Sequence, residues 1–328
     1  KANSYLIVYF EKDTKSNEKL LGNFGLSNNG EMIYFTMPNK TILEEITVPE
    51  LSLHTTYGRY NKNGVETFNV LNPTPNMKNE SKPIYKQINT PIFSNESGFY
   101  NNSFDLTITS NEDVDIYYTL DCSIPTKDST LYKDSIKVED PSNNPNVLKS
   151  RNDMSVFNNN NVSPVDKMVV VRAIAISKDG NQSEVVTKNY FVGKNKYKND
   201  KIISLVTDSY NLVDDEYGIY VKGKAYNDYV ASGSEGEAPD YNWDLEGRVS
   251  ERDCNLTYLN AGDLRLNQDC GMRIHGYGGR SILYKSFNIY ARSCYGEKYF
   301  LDPLFKNTTL TKSFILKYDR YLEDKFTN

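Results

Sequence analysis

The chain has 328 residues, a formal net charge of −5 and 38% hydrophobic residues, which is enough for two or three domains. The acidic balance argues against a dedicated nucleic-acid binder, and no apolar run is long enough to span a bilayer. The 12% aromatic content, with 26 Tyr and one Trp, excludes a disordered chain and favours β-rich modules.

Residues 1–80 are predicted to form a small antiparallel β module, the first of two immunoglobulin-like β sandwiches. The run SYLIVYF (residues 4–10) has the composition of a strand, and TILEEITV (residues 41–48) is another. Asn29–Gly30 lies between apolar runs and predicts a hairpin turn. The stretch NPTPNMKNESKP (residues 72–83) cannot continue a sheet and is interpreted as a linker.

Residues 81–194 are predicted to form a second β module, an immunoglobulin-like sandwich. Its strands are short, evenly spaced and separated by polar loops, with a clear turn at Lys178–Asn181. The Asn-rich stretch 141–163 is predicted to be a flexible surface loop without chemistry.

Residues 195–328 are predicted to form a mixed α+β region built on an antiparallel sheet. A buried-type strand, IISLVTD, precedes a stretch (residues 209–223) with room for a helical turn. Residues 229–247 are predicted to be a glycine-rich acidic loop, and the last run, SFILKYDRYLEDKF (residues 313–326), begins as a strand and can become a helix. The acidic triplet 214–216 is expected to cap a turn or helix.

The cysteines and histidines argue against a structural zinc site, because no CxxC pair exists and only two histidines, His54 and His275, are present. Cys122 has no cysteine in its own module and is predicted to be unpaired. Cys254, Cys270 and Cys294 share one region, so one disulfide and buried free thiols both stay open, and the low cysteine count favours thiols.

The stretch GMRIHGYGGRSILYKSF (Gly271–Phe287) holds the strongest candidate for chemistry. Tyr277 stands where a Walker A loop needs lysine, and Ser281 replaces the last glycine of a Rossmann fingerprint, so both phosphate motifs fail. A kinase-type hairpin remains, with glycine main chain over phosphates and Lys285 on the following strand. From the residues alone, phosphate contact and a lysine whose stem lies along a sheet edge are equally supported.

Each segment also resembles a known family. The run IYYTLDCSIPTKDSTLY (residues 116–132) resembles the chitobiase/β-hexosaminidase C-terminal domain, except that Cys122 stands where that family has glycine. Asp121, Ser123, Pro125 and Thr126 are interpreted as turn formers there. The later part of a lamin-tail domain is similar to the runs SYLIVYF, NFGLSNNGEMIYF, TTYGRY and NPTPNMKN, except that Asn76 stands where that family has glycine. The runs YGIYVKG, QDCGMRIHGYGGRS, KSFNIYAR and SFILKYDR resemble the CotH (spore-coat protein H) kinases.

The CotH resemblance implies a kinase-N-lobe-like sheet that binds ATP with Mg²⁺ and belongs to a bacterial surface or spore-coat protein kinase. The chain would be a fragment: its ends have the appearance of cuts, and the catalytic and metal-binding acids are expected beyond residue 328, so this piece alone should be inactive. The implied nucleotide contacts are Lys285, Arg280, Gly276, Gly278, Gly279 and Ser281.

Structural alternatives stay open for three residues, namely an exposed turn arginine at Arg280, a turn cap at Ser281 and a packing or hydrogen-bonding role for His275. The competing interpretation of the whole chain is a non-catalytic binding or spacer protein of the cell surface. Its ligand could be a carbohydrate, although no aromatic platform for a sugar stands out in the sequence. The protein substrate of a kinase cannot be named, and no nucleic-acid partner is expected.

Overall fold

The computed structural model describes residues 5–10, 20–22, 24–27, 30–51, 55–62, 64–74, 77–79, 88–148, 151–157, 164–302, 304–305 and 310–318. These residues form a mainly β protein, as the sequence predicted. The chain makes two compact units. One comprises Lys1–Pro91 with Ser110–Ile116 and Ile174–Glu184, and the other comprises the remaining residues.

The described residues of the first 80 positions form three two-stranded sheets. Their strands are β1 (Tyr9–Phe10), β2 (Leu21–Gly22), β3 (Glu31–Thr36), β4 (Ile42–Val48), β5 (Thr56–Lys62) and β6 (Val65–Leu71). The pair β1–β2 is parallel, which corrects the prediction of a wholly antiparallel module, whereas β3–β4 and β5–β6 are antiparallel. The predicted strand at residues 4–10 is therefore confined to β1 among the described residues.

The hairpin turn expected at Asn29–Gly30 stays a prediction. Asn29 lies outside the described residues, and β3 pairs with β4 through a turn in which the N–H of Lys40 donates to the carbonyl of Met37 over 2.8 Å. Gly64, at a φ of +87°, lies in the tight turn between β5 and β6. The dipeptide Asn63–Gly64 is the same kind of turn signal, so the sequence did contain this hairpin.

The middle of the chain forms the predicted immunoglobulin-like β module. Its strands are β7 (Ile92–Phe93), β8 (Gly98–Tyr100), β9 (Phe104–Leu106), β10 (Ile108–Thr109), β11 (Val114–Thr119), β12 (Thr130–Leu131), β13 (Ile136–Val138), β14 (Val169–Ser177) and β15 (Val186–Val192). A five-stranded sheet runs in the order β12-β11-β14-β15-β8, and β13–β9 and β10–β7 form two-stranded sheets. Buried apolar residues such as Leu106, Val138 and Val171 fill its interior.

Turn chemistry explains the stretch that resembles the chitobiase-type domain. The side chain of Asp121 accepts from the N–H of Ser123 over 3.0 Å, and the hydroxyl of Ser129 accepts from the N–H of Thr126 over 2.9 Å. Cys122 adopts a φ of +69°, the left-handed conformation that favours glycine. The structural interpretation of these residues is therefore confirmed.

The last part of the described chain is built on a five-stranded antiparallel sheet in the order β16-β17-β18-β19-β20, as predicted. Its elements are β16 (Lys201–Val206), α1 (Ser209–Val213), α2 (Lys224–Ala231), β17 (Arg252–Asn260), β18 (Asp263–His275), β19 (Ser286–Tyr290) and β20 (Ser313–Leu316). An apolar cluster covers one face of the sheet and includes Leu256, Tyr258, Met272, Ile289, Phe300 and Phe314. The helix expected after β20 falls on residues outside the described part.

Helix α1 confirms the predicted helical turn, and Asp214 caps the turn that follows it. The Asp214 carboxylate accepts from the N–H groups of Glu216 and Tyr217 over 2.9 and 2.8 Å. Helix α2 is a correction, since the acidic loop predicted from residue 229 begins inside it. Lys224 and Asp228, one turn apart, pair over 2.6 Å and support α2.

Buried polar side chains join the middle and last segments within the second unit. The Asn189 amide of β15 donates to the hydroxyl of Thr257 in β17 over 2.6 Å, and both residues are fully buried. Asn267 of β18 donates to the carbonyl of Thr187 over 2.8 Å. The two compact units do not follow the segment boundaries proposed at residues 80 and 194, and these boundaries stay predictions.

Candidate functional site

Strands β18 and β19 position the candidate site as a hairpin. They pair antiparallel from Gly271 opposite Tyr290 to His275 opposite Ser286. Residues 276–285 connect them and include one 3-10 turn, Gly278–Arg280. The prediction that this stretch forms the end of an antiparallel hairpin is confirmed.

The glycine part of the connection is open to solvent. Residues 276–279 are all exposed, and Tyr277 has 96% of its surface accessible. A Cβ atom added at Gly276, Gly278 or Gly279 would meet no atom within 4 Å. Gly276 also has a φ of +101°, which side chains other than glycine rarely adopt. The main chain here can be approached closely by a ligand.

Lys285 has a different place from the predicted one. It precedes β19 instead of lying on it, and it is 5% exposed. Its ammonium donates to the carbonyls of Met154 and Ile282 over 2.8 and 2.7 Å. Main-chain carbonyls therefore replace water around the ammonium. This corrects the expectation that Lys285 points towards a cleft, and it also corrects the alternative of a lysine at an exposed sheet edge.

Two aromatic rings complete this enclosure. The Lys285 Nζ lies 4.5 Å from the ring centroid of Tyr220 and 4.5 Å from that of Trp243, within the range of cation–π attraction. The Tyr220 hydroxyl accepts from the N–H of Lys285 over 3.1 Å and donates to the carbonyl of Leu283 over 2.6 Å. Tyr220 therefore holds both the side chain and the main chain of the connection.

Burial changes the acid–base behaviour of this group. It lowers the pKa of Lys285 to about 7, and the nearby charge of Asp244 opposes that change. Burial also raises the pKa of Asp244. Lys285 consequently carries an amine that can change its protonation near neutral pH, a property common at functional sites.

Arg280 is buried, so the alternative of an exposed turn arginine is wrong. Its Nη1 donates to the carbonyls of Trp243 and Leu245 over 2.8 and 3.2 Å, and its Nε donates to the carbonyl of Gly276. An ion pair of 3.4 Å to the exposed Glu246 adds to these bonds. Arg280 thus ties the glycine turn to the segment around Trp243.

Ser281 and His275 behave as the structural alternatives predicted. The Ser281 hydroxyl donates to the carbonyl of Gly278 over 3.1 Å and caps the turn. The ring Nδ1 of His275 lies 3.1 Å from Oδ1 of Asn288 on β19, a contact across the hairpin. The carbonyl of Ser281 accepts from the N–H of Val156 over 2.9 Å.

The sequence interpretation missed the contribution of the Asn-rich stretch. Residues 151–157 pack against the hairpin, with Met154 and Ser155 both buried, whereas a flexible surface loop was predicted. The run Met154–Phe157, with three apolar residues among polar ones, was the available signal. Trp243, the single tryptophan, was also placed in a loop without a role.

A second charged cluster lies along the sheet around Glu251. This buried carboxylate pairs with Arg248, Arg273 and Arg292 over 2.6, 2.7 and 2.9 Å. The Tyr295 hydroxyl donates to it over 3.0 Å. Burial alone would raise the pKa of Glu251, but the hydrogen bond from Arg292, the charge of Arg248 and the hydrogen bond from Arg273 leave it below its usual value.

In the part of the chain that the structure describes, no group of three or more His, Cys, Asp or Glu side chains is arranged to hold a metal ion. Within the same residues, no helix has the length and apolar character needed to cross a membrane. His54 falls outside them.

Comparison with known families adds one finding. The family described as Fn3 associated matches residues 106–190, which cover most of the middle β module. This match supports an Fn3-associated, immunoglobulin-like module of a kind typical of extracellular proteins. No curated protein and no solved structure matches the chain. The chitobiase-type, lamin-tail and CotH resemblances stay predictions.

Proposed function

We propose that residues 195–318 belong to the nucleotide-binding part of a CotH-like atypical protein kinase, carried by β modules at a bacterial cell surface or spore coat. The Fn3-associated match supports the extracellular setting of the middle module. The runs QDCGMRIHGYGGRS and KSFNIYAR support the kinase assignment by resemblance. ATP and Mg²⁺ are the proposed cofactors.

One observation carries the proposal, namely the exposed glycine main chain with two buried cations anchored beside it. The open space above Gly276, Gly278 and Gly279 allows a phosphate to approach the main chain. Arg280 and Lys285 bind carbonyls of the same connection, at Gly276 and Ile282, so their charge is fixed next to the loop. A buried positive charge beside the loop favours a phosphate more than a fully solvated one does, and Lys285 supplies such a charge while its amine is protonated.

In this arrangement the main chain of the loop would contact phosphate, while Lys285 and Arg280 would hold the loop in shape. The proposal places the catalytic and metal-binding acids beyond residue 328. Positioning and metal ions supply most of the catalysis in phosphoryl transfer, so this chain alone is not expected to transfer phosphate.

Calorimetric titration of Mg²⁺–ATP into a chain extended beyond residue 328 tests the proposal. Gly279→Val separates phosphate binding from folding. The open space around residue 279 lets the fold accept the valine side chain, and that side chain would block the approach of a phosphate to the main chain. We expect Gly279→Val and Lys285→Ala to weaken ATP binding. Equal affinity in both variants and the wild type would leave Gly271–Phe287 as an ordinary glycine-rich hairpin.

A non-catalytic binding or spacer protein is the second candidate, and a specific observation favours it. The bonds described above for Lys285 and Arg280 all go to main-chain carbonyls, apart from the ion pair with Glu246, which is the pattern of structural cations. If this candidate is right, the extended wild-type chain will bind no ATP, and Lys285→Ala will change stability alone.

A further inference from the structure

The two buried cysteines of the last sheet stand directly opposite each other. Cys254 on β17 pairs in register with Cys270 on β18. Their sulfur atoms are 3.4 Å apart, and both residues are part of the apolar cluster of the sheet, 3% and 0% exposed. The remaining cysteines differ, since Cys294 is exposed and Cys122 is partly buried, and all four are free thiols in this structure.

We propose that Cys254 and Cys270 are a cross-linking site that closes to a disulfide when the chain folds under oxidising conditions. Directly opposite residues of an antiparallel pair have Cα atoms about 4.5–5.5 Å apart, inside the range of about 4.4–6.8 Å that disulfides require. The strand register already brings the two side chains to the same place. Only a small movement of the sulfur atoms is needed to form the bond.

The reaction needs an oxidant, for which a low-molecular-weight disulfide such as oxidised glutathione is sufficient. One cysteine thiolate attacks the glutathione disulfide, which forms a mixed disulfide and releases one glutathione thiolate. The second cysteine thiolate attacks the mixed disulfide and releases the other. The protein loses two protons and two electrons, and two molecules of reduced glutathione are formed.

The burial of Cys254 and Cys270 determines when during folding the disulfide can form. Once the sheet has closed, neither sulfur is accessible to an oxidant, and the hydrogen bond with Cys270 and the burial of Cys254 raise the pKa of the Cys254 thiol. The thiolate is the reactive form, so the folded chain reacts slowly. The bond therefore forms before the sheet closes, and afterwards the same burial protects it from reductants.

Refolding in a glutathione redox buffer tests this inference on the full chain. The variant Cys122→Gly/Cys294→Ser keeps only the opposed pair, and glycine suits the positive φ at residue 122. We expect no free thiol in denaturant after oxidative refolding and two after refolding in reductant. Proteolytic peptides that contain Cys254 and Cys270 should be found linked, and the unfolding midpoint should rise by several degrees.

The wild-type chain supplies an independent measurement. Peptide mapping after the same oxidative refolding should find the same linked peptides, even if the double variant folds poorly. Cys254→Ala serves as the control, because it cannot form the link to Cys270. In this variant the exposed Cys294 should form a mixed disulfide with glutathione, which shows that the oxidant was active. Two free thiols at Cys254 and Cys270 in the oxidised wild type, with Cys294 modified, would overturn the proposal. The proposed function does not enter this test.

Discussion

Replacing Lys285 with methionine tests whether its buried amine changes protonation near neutral pH. Methionine has a similar length and no charge. Burial lowers the pKa of Lys285 from 10.5 to about 7, whereas the same amine in the unfolded chain keeps its proton up to about pH 10. Between these values the unfolded state binds more protons, so the free energy of unfolding should rise as the pH increases from about 7 to about 10.

The size of this rise can be worked out from the pKa difference. From 10.5 to about 7, at about 1.4 kcal/mol for each pH unit, the gain is about 5 kcal/mol. The two carbonyl bonds and the two ring faces stabilise the ammonium and oppose the effect of burial, each ring by about 0.5–2 kcal/mol. We therefore expect wild type to gain about 2–4 kcal/mol relative to Lys285→Met across this range.

Trp243 is the natural reporter for the assay. It is the single tryptophan of the chain, it is 1% exposed, and its ring lies 4.5 Å from the Lys285 ammonium. Urea unfolding followed by its emission, at several pH values between about 6 and 10, gives the free energy of unfolding for each variant. The emission of the folded wild type should also titrate within this range, below the pH at which an exposed lysine loses its proton.

Lys222→Met is the matched control, because Lys222 is half-buried and its ammonium lies 5.7 Å from the Tyr226 ring. This variant should keep the pH dependence of wild type, and Lys285→Met should lose it. Parallel stability curves for wild type and Lys285→Met would refute the reasoning, since they would mean that Lys285 keeps its proton throughout the range.

Three further changes have expected outcomes in denaturation experiments. Cys122→Gly should be about 1 kcal/mol more stable than Cys122→Ala, because residue 122 has a φ of +69°, a left-handed conformation that is strained for alanine and unstrained for glycine. Equal stability of the two variants would contradict this. Glu251→Gln should cost about 3 kcal/mol at neutral pH, because it removes the one buried carboxylate charge that three guanidinium groups share; the figure is already reduced for their partial exposure. The pKa of Glu251 is lowered in the folded state, so its contribution is present above the ordinary value of 4.5 and is lost as the pH falls through the folded value; a cost that is unchanged in acid would count against it. Gly223→Ala should cost more than about 2 kcal/mol, because its φ is +88° and its Cβ would come within 2.0 Å of Asn242 Oδ1, whereas Gly236→Ala, in open space, should be neutral.

Sequence patterns were most informative where local chemistry decides the structure. The Asp121 and Ser123 turn, the Asp214 cap and the antiparallel hairpin around Gly276 were predicted from turn residues and alternation. In each of these cases the hydrogen-bonding partners are near in sequence or on the adjacent strand, so a short window contains the required information.

Nucleotide contact at the candidate residues stays a prediction, and the contacts that these residues make could not be predicted from the sequence. The sequence identified Lys285 and Arg280, and it could not show that Met154, 131 residues earlier in the chain, supplies a carbonyl to the ammonium. A main-chain carbonyl has no side-chain signature. Any residue type can provide one, so no motif marks the partner.

The sequence by itself determined a mainly β protein, an immunoglobulin-like middle module and an antiparallel last sheet, because alternation and turn residues are local properties. Tertiary structure alone decided that Cys254 faces Cys270 and that three arginines surround Glu251. It also decided that Lys285 is enclosed by two rings. These arrangements depend on strand register and on contacts between distant segments, and whether a charged side chain meets water or carbonyl groups is fixed only when those segments pack.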